Sequence, residues 1–242
     1  MFPSVAEINL PGSIHLVFFG LLIPAAVMRG RMKLRDAKGP LPNRLRHFQA
    51  TTLTLVAFAF MSLMTARAER IELFPRTRPP LLAVLAGVVM LVTAVAVMRP
   101  RWRRAVENRT PIQARVLHLV MPANAVERAW WIVVAVLAGI SEEITWRGVQ
   151  SALLINLTGH FWIAAMICSI SFGLGHFNQG WRSSAIIVFF ALGFHGLVWL
   201  SGSLYVAIAV HIAYDITAGL IYGKLGKELG YSPELNESPV TS

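Results

Sequence analysis

The sequence predicts an all-α membrane protein that folds as a bundle of about seven transmembrane helices. Of its 242 residues 55% are hydrophobic and only 14% are charged, and its mean hydropathy of +0.59 is too high for an ordinary soluble domain. The apolar residues form blocks long enough to cross a bilayer core of about 30 Å as helices of about 20 residues. Lys and Arg gather in the connections between these blocks, which is typical of a multi-pass membrane protein.

The first apolar block is short, and the preceding segment MFPSVAEINLPG has neither a basic region nor a clear small-residue cleavage site. We therefore predict a retained span, with a cleaved signal peptide as the alternative. The next two blocks carry no charge, the fourth is long and contains charges, and short connections separate the last three. In chain order, spans are predicted at residues 13–28, 48–66, 79–98, 128–158, 160–177, 183–200 and 203–223.

The distribution of positive charge predicts the orientation of the chain. The connections 29–46 and 99–128 each contain seven Lys or Arg residues and are expected on the cytoplasmic side. Segment 67–78 has four Arg offset by two Glu, which suits the outer side. Seven spans then place the amino terminus outside and the carboxyl terminus in the cytoplasm. The net charge of +10 is explained by topology and by anionic lipid head groups, so we expect no nucleic-acid partner.

The chain is expected to form one continuous domain, because it has no internal repeat and no long linker. Residues 1–127 hold spans without a chemical motif, residues 128–223 hold the intramembrane charges, and residues 224–242 form a polar tail. The single cysteine, Cys168, leaves no intramolecular disulfide and no CxxC zinc motif.

Four charged residues lie inside predicted spans, at Glu142, Glu143, Arg147 and Asp215. Each costs about 2.5–3.5 kcal/mol at mid-bilayer on insertion scales, so mutual pairing and a function are expected, with structural pairing alone as the alternative. Glu143 and Arg147 are four residues apart and share a helix face. Glu142 projects about 100° away from them and is free to face a cavity.

Two histidines complete a predicted polar site. His211 precedes Asp215 by one helical turn, and His176 follows Phe172 by one turn. If the chain turns near residues 158–159, Glu142 and His176 each lie about 25 Å from that turn, and a turn near 201–203 also leaves His211 in mid-membrane. We therefore expect these groups to converge on one site in the cytoplasmic half of the membrane.

The other polar and aromatic residues receive simpler predictions. His195 is expected to pack in the core with a backbone partner, with a place in the cavity wall as the alternative. His15, His47, His118 and His160 are assigned no role. Gly173, Gly175, Gly193 and Gly196 are expected to allow close helix approach. Trp130, Trp131, Trp162 and Trp199 are interpreted as interface or packing aromatics.

Three short motifs in apolar spans resemble a known family. EEITWR matches the pattern EExxxR, FGLGH matches FxxxH, and HIAYD matches HxxxN/D. Together, over roughly residues 125–223, they resemble the CAAX-processing endopeptidases and their bacterial relatives, the glutamic-type intramembrane proteases of the CPBP family. The resemblance implies an endopeptidase that acts on a membrane-associated or exported peptide or protein from within a membrane, with a bacterial cell membrane as the expected location.

The resemblance also implies roles for the site residues. Glu142 would activate a water, Glu143 and Arg147 would support it, and His176, His211 and Asp215 would complete the site. Asp215 stands where the family also has Asn, an amide donor, so it must be protonated, orient His211 or help to bind a cation.

Two questions stay open at this point. No cofactor is expected, but two His and two carboxylates leave zinc as an alternative, although HExxH is absent. A proton- or cation-coupled transporter is the rival function, because intramembrane Glu, His and Asp also form proton relays. A non-enzymatic immunity or scaffold protein is a further alternative, and the substrate and the oligomeric state are not specified.

Overall fold

The computed structural model describes residues 7–36, 43–75, 78–108 and 111–228, and within these ranges the regular elements are all helical. Helix α1 covers residues 10–36 as three continuous segments, Leu10–Val17, the π-helical Phe18–Leu22 and Ile23–Asp36. It is followed by α2 (Arg44–Ala68), α3 (Leu81–Glu107), the short α4 (Pro111–Val120), α5 (Ala125–Thr158), α6 (Phe161–Leu174), α7 (Trp181–Ser201) and α8 (Tyr205–Glu228). Helix α5 contains a second π-helical segment, Glu143–Gln150.

The predicted all-α membrane architecture is confirmed. Among the described residues, six helices are long and apolar enough to cross a membrane. The predicted fifth span, 160–177, differs: α6 ends at Leu174 after 14 residues, or about 21 Å, which is shorter than the bilayer core. A 3₁₀ turn, Phe177–Gln179, follows it, so His176 lies just beyond the helix rather than within it. Two glycines near this end, Gly173 and Gly175, weaken the helix there.

The turns that shape the bundle have local causes. Helices α5 and α7 are each followed by a capping glycine, Gly159 and Gly202. The φ values of these glycines, 70° and 65°, lie in the left-handed region that favours glycine. The two expected turns, near residues 158–159 and 201–203, are therefore confirmed. The side chains of Asn43 and Asn124 cap the amino termini of α2 and α5 by accepting from backbone N–H groups three residues later.

Several basic connections meet at one end of the bundle, called here the basic end. Arg44 Nη1 donates to the carbonyl of Met121 at 2.7 Å, and its Nε lies 3.2 Å from Glu127 Oε2. Arg31 Nη1 donates to the carbonyls of Phe177 and Asn178, at 3.2 and 2.7 Å. These contacts join the start of α2 to the start of α5, and the end of α1 to the turn after α6. Two arginines predicted only as topology signals therefore also hold connections together.

The opposite end of the bundle is held by one carboxylate. Glu69, just after α2, accepts hydrogen bonds through Oε1 from the backbone N–H groups of Asn9, at 3.0 Å, and Gly12, at 3.1 Å. A carboxylate at a helix amino terminus satisfies free N–H groups and interacts favourably with the helix dipole. This contact ties the start of α1 to the end of α2.

Close packing between helices depends on a set of glycines that differs from the predicted one. Gly173 confirms its prediction, because a Cβ there would meet Val188 and the carbonyl of Ser184 on α7, and Gly193 lies against Met90 on α3. Gly196 contradicts it, since nothing lies within 4 Å of a Cβ at that position. Gly139, which was not predicted, allows α5 to approach the backbone of α8 near Ile212.

Candidate active site

The site begins where α5 changes from α-helix to π-helix. Glu142 is the last residue of the α-helical part, and Glu143 begins the π-helical segment, all eight residues of which are buried. The predicted pair is present: Arg147 Nη1 lies 3.1 Å from Glu143 Oε1, and the two side chains are 1% and 0% exposed. Since π-helical segments occur often at functional sites, this local distortion is consistent with a specialised role.

Aromatic rings surround the buried arginine. The Cζ atom of Arg147 lies 4.3 Å from the ring centre of Phe172 and 5.2 Å from that of Phe194. A guanidinium at these distances is attracted to the ring faces. Phe172 belongs to the FxxxH motif, so that motif also holds the arginine of the EExxxR motif.

His211 lies at the centre of the charged cluster. Its Nδ1 is 2.7 Å from Glu143 Oε1, a hydrogen-bond distance. Its Nε2 is 3.5 Å from Asp215 Oδ2 and 3.8 Å from Glu142 Oε2. The last two separations are too long for strong direct hydrogen bonds. His211 therefore links the buried Glu143 to the two more accessible carboxylates.

His176 approaches the site from the turn after α6. Its Nδ1 lies 2.9 Å from the carbonyl oxygen of Phe172, which can only accept, so Nδ1 carries a proton. The ring also packs against Phe172, with 4.6 Å between ring centres. These two contacts leave Nε2 for an interaction within the cavity.

A cavity of about 290 Å³ brings the predicted residues together. Glu142, Arg147, His176, His211 and Asp215 line it, whereas Glu143 is fully buried behind its wall. The convergence predicted from helix depth is therefore observed. The rest of the wall is mostly apolar and comes largely from α3, α4 and α7, through Met90, Leu91, Met98, Trp102, Val116, Leu117, Ile186, Ile187 and Phe190. Helices α3 and α4 carry no motif, and their part in the cavity was not predicted.

Trp131 is a site residue that the sequence did not reveal. Its indole Nε1 donates to the backbone carbonyl of Asp215 at 2.9 Å, and the ring lies directly over Gly219, one turn further along α8. The only sequence signal is the small residue at position 219, which is meaningful only once its partner is known. Trp131 thus fixes α8 against α5 at the level of Asp215.

We expect Gly219→Ala to destabilise the protein by roughly 1–3 kcal/mol, because the added Cβ overlaps the Trp131 indole in a close-packed contact. Thermal unfolding in detergent measures the effect. Gly196→Ala is the matched control, since a Cβ there meets nothing within 4 Å. A Trp131→Leu change in the Gly219→Ala background should recover part of the loss. Equal melting temperatures for Gly219→Ala and Gly196→Ala would contradict this packing.

The remaining histidines differ from their predictions in part. His195 is 1% exposed and packs in the core as expected, but neither ring nitrogen has a hydrogen-bond partner in the described part of the chain. His15, to which no role was assigned, is fully buried and hydrogen-bonded to two other helices.

The positions of the possible ligand atoms bear on the zinc alternative. Within the described ranges, no group of three or more His, Cys, Asp or Glu side chains has a metal-binding arrangement. One nitrogen of His211 is engaged by Glu143, and the other lies 3.5 Å from Asp215 Oδ2 and 3.8 Å from Glu142 Oε2. The absence of a metal requirement stays a prediction, and no step below depends on a metal.

The fold and the site define an integral multi-pass membrane protein with ionisable groups gathered around an intramembrane cavity. The model of the family described as type II CAAX prenyl endopeptidase Rce1-like matches residues 124–217, the range that contains all six predicted site residues. Over this range the chain is similar to that family, as its motifs indicated. The match supports a CAAX-protease-type enzyme acting on a peptide or protein at the membrane. Searches of curated proteins and of solved structures found no match.

Proposed function

We propose that this protein is an intramembrane endopeptidase that hydrolyses a peptide bond of a membrane-associated or exported peptide or protein, with Glu142 activating the attacking water. One observation carries the proposal: the two adjacent glutamates have different surroundings. Glu143 is fully buried against Arg147 and His211, whereas the side chain of Glu142 is 17% exposed, lines the cavity and makes no hydrogen bond with another described residue. Glu142 is therefore the carboxylate that is free to hold a water.

The proposed reaction needs a base and a donor. Glu142 accepts a proton from water as the water oxygen attacks the peptide carbonyl, and a positioned donor stabilises the oxyanion. The intermediate then collapses, the C–N bond breaks, and the leaving amine takes the proton from Glu142. Nε2 of His176, or Nε2 of His211 beside Glu142, serves as that donor when it carries a proton. Of the roles considered for Asp215, its contact with His211 Nε2 favours orientation of that ring.

Hydrolysis can be tested without knowing the substrate in advance. The purified chain in liposomes would be incubated in ¹⁸O-labelled water with membrane-associated peptides extracted from cells that lack it. Mass spectrometry should find shortened peptides with one ¹⁸O in each new carboxyl terminus. Activity that survives a strong zinc chelator would support the proposal that no metal is required. Ion or proton flux in sealed liposomes without any cleavage would favour the transporter instead.

We further propose that the cavity opens at the basic end and that this end faces the cytoplasm. Asn178 and Gln179, in the turn held by Arg31, line the cavity, as does α4, which lies within the basic connection 99–128. The exposed Lys227 near the end of α8 lies at the same end, because Gly223 packs against the backbone of Pro122. A substrate segment entering there would have to unwind to present its amide to Glu142.

Cysteines at Gln179 and Lys227 are expected to react with a membrane-impermeant maleimide only when the cytoplasmic face is exposed, because both lie at the basic end. His160→Cys at the opposite end is the matched control and should react in intact cells. A Cys168→Ala background removes the native thiol, which is fully buried. Labelling of position 179 from outside intact cells would show that the proposed orientation is wrong.

A further inference from the structure

A second group of polar side chains contacts the π-helical segment of α5 from α1 and α2. It consists of His15 on α1, Ser62 on α2, and Thr145 and Gln150 on the segment itself, called here the His15 network. His15 Nδ1 lies 2.9 Å from Gln150 Oε1, His15 Nε2 lies 3.1 Å from Ser62 Oγ, and Ser62 Oγ lies 2.8 Å from Thr145 Oγ1. All four residues are at most 2% exposed. None of them lines the cavity.

The hydrogen bonds of this network have one consistent direction. Gln150 Nε2 donates to the carbonyl of Leu16 at 3.4 Å, which leaves Oε1 to accept from His15 Nδ1. With the proton on Nδ1, His15 Nε2 accepts from the Ser62 hydroxyl, and the Ser62 oxygen accepts from Thr145. Every polar atom of the four side chains then has a partner, which is what a buried polar network needs in order to be stable.

The network depends on the π-helical register. In an α-helix, residues five positions apart point about 140° away from each other, since each residue turns the chain by about 100°. A π-helix closes its hydrogen bonds from i to i+5, which brings such residues close to one full turn apart. Thr145 and Gln150 are five apart, and the path Thr145–Ser62–His15–Gln150 joins them. The charged side chains of this segment, Glu143 and Arg147, contact α6, α7 and α8 instead.

We infer that His15 is a positioning residue for catalysis, which holds residues 143–150 in the π register and thereby sets Glu143, Arg147 and, through Glu143, His211. The inference rests on the proposed function. His15 touches no substrate and transfers no proton in this role. Without its ring, Gln150 and Ser62 each lose one hydrogen-bond partner and are no longer joined to each other. The α register, in which Thr145 and Gln150 diverge, then becomes competitive. Helix α1, which carries no family motif, is then part of the catalytic apparatus.

Thr145→Val tests the network with the least change in shape, because it replaces one hydroxyl by a methyl group. Thr65→Val is the matched control: Thr65 is also buried and lies on α2, three residues from Ser62. Among the described residues, its hydroxyl bonds only to the carbonyl of Met61 in its own helix. Both variants, with Ser62→Ala and His15→Leu, would be purified as the full chain in detergent. Two quantities would be measured: backbone hydrogen–deuterium exchange over residues 143–150, and kcat and KM on a peptide found by the ¹⁸O assay.

We expect Thr145→Val, Ser62→Ala and His15→Leu to speed exchange over residues 143–150 and to lower kcat by roughly 10- to 100-fold, the scale for small misplacements of catalytic groups, with KM within about twofold. Thr65→Val should change neither. Unchanged exchange, or faster exchange with kcat within about twofold of Thr65→Val, would overturn the inference. If the wild-type chain cleaves no peptide, the proposed function fails, and hydrogen–deuterium exchange alone tests the structural part of the inference. Faster exchange over residues 143–150 in the network variants would then support a network that holds the π-helical segment, and unchanged exchange would refute it.

Discussion

Glu142→Gln is expected to lower the cleavage rate by roughly 10²–10⁴-fold or more, because it removes the general base while keeping the shape of the side chain. The amount of folded protein should hardly change. Glu142 is partly accessible to the cavity, and its one contact within ion-pair distance among the described residues is with His211, whose Nε2 is 3.8 Å away. The measurement is kcat in liposomes alongside the yield of monodisperse protein in detergent.

Glu228→Gln is the control for loss of one negative charge. It changes an exposed glutamate at the end of α8. Among the described residues, this glutamate forms one ion pair, in which Lys224 Nζ lies 3.8 Å from Glu228 Oε1. This variant should cleave at the wild-type rate. Activity of Glu142→Gln equal to that of Glu228→Gln would rule Glu142 out as the base and direct attention to Asp215, the other accessible carboxylate of the cavity.

Arg147→Ala is expected to lower the free energy of unfolding by about 3–5 kcal/mol, because removing one partner of a buried ion pair leaves an uncompensated charge. The yield of folded protein should therefore fall severely. Glu143 is fully buried, and Arg147 is its only guanidinium partner among the described residues. Arg103→Ala provides a matched comparison, because Arg103 and Glu107 form a pair with the same spacing on an exposed surface. Such exposed pairs contribute only about 0–1 kcal/mol.

A double variant separates folding from catalysis at this pair. Glu143→Gln with Arg147→Met removes both charges, and Gln at 143 still offers an oxygen to His211 Nδ1, so folded protein should recover relative to Arg147→Ala. Cleavage should stay far below wild type, because the charged support of His211 is lost. If Arg147→Ala folds as well as Arg103→Ala, the pair does not stabilise the bundle as we propose.

The sequence could predict features that depend on local composition and spacing. The all-α membrane architecture follows from apolar blocks of sufficient length, and the turns at residues 158–159 and 201–203 follow from the ends of those blocks. The pairing of Glu143 with Arg147 follows from helical spacing. The depth of Glu142, His176 and His211 in the bundle, measured from the nearest turn of the chain, could be estimated because a helix rises by a constant amount per residue.

Other features were decided only by contacts between distant parts of the chain. No local pattern marks the π-helical segments at Phe18–Leu22 and Glu143–Gln150, because the choice of i+5 hydrogen bonds depends on partners such as His15, which is 135 residues from Gln150. The contact of Trp131 with Gly219 and the cavity wall from α3 and α4 likewise join segments with no shared spacing. Spacing along a helix determines which side chains share a face, whereas only the packed bundle determines what that face meets, and here that packing separates the buried Glu143 from the accessible Glu142.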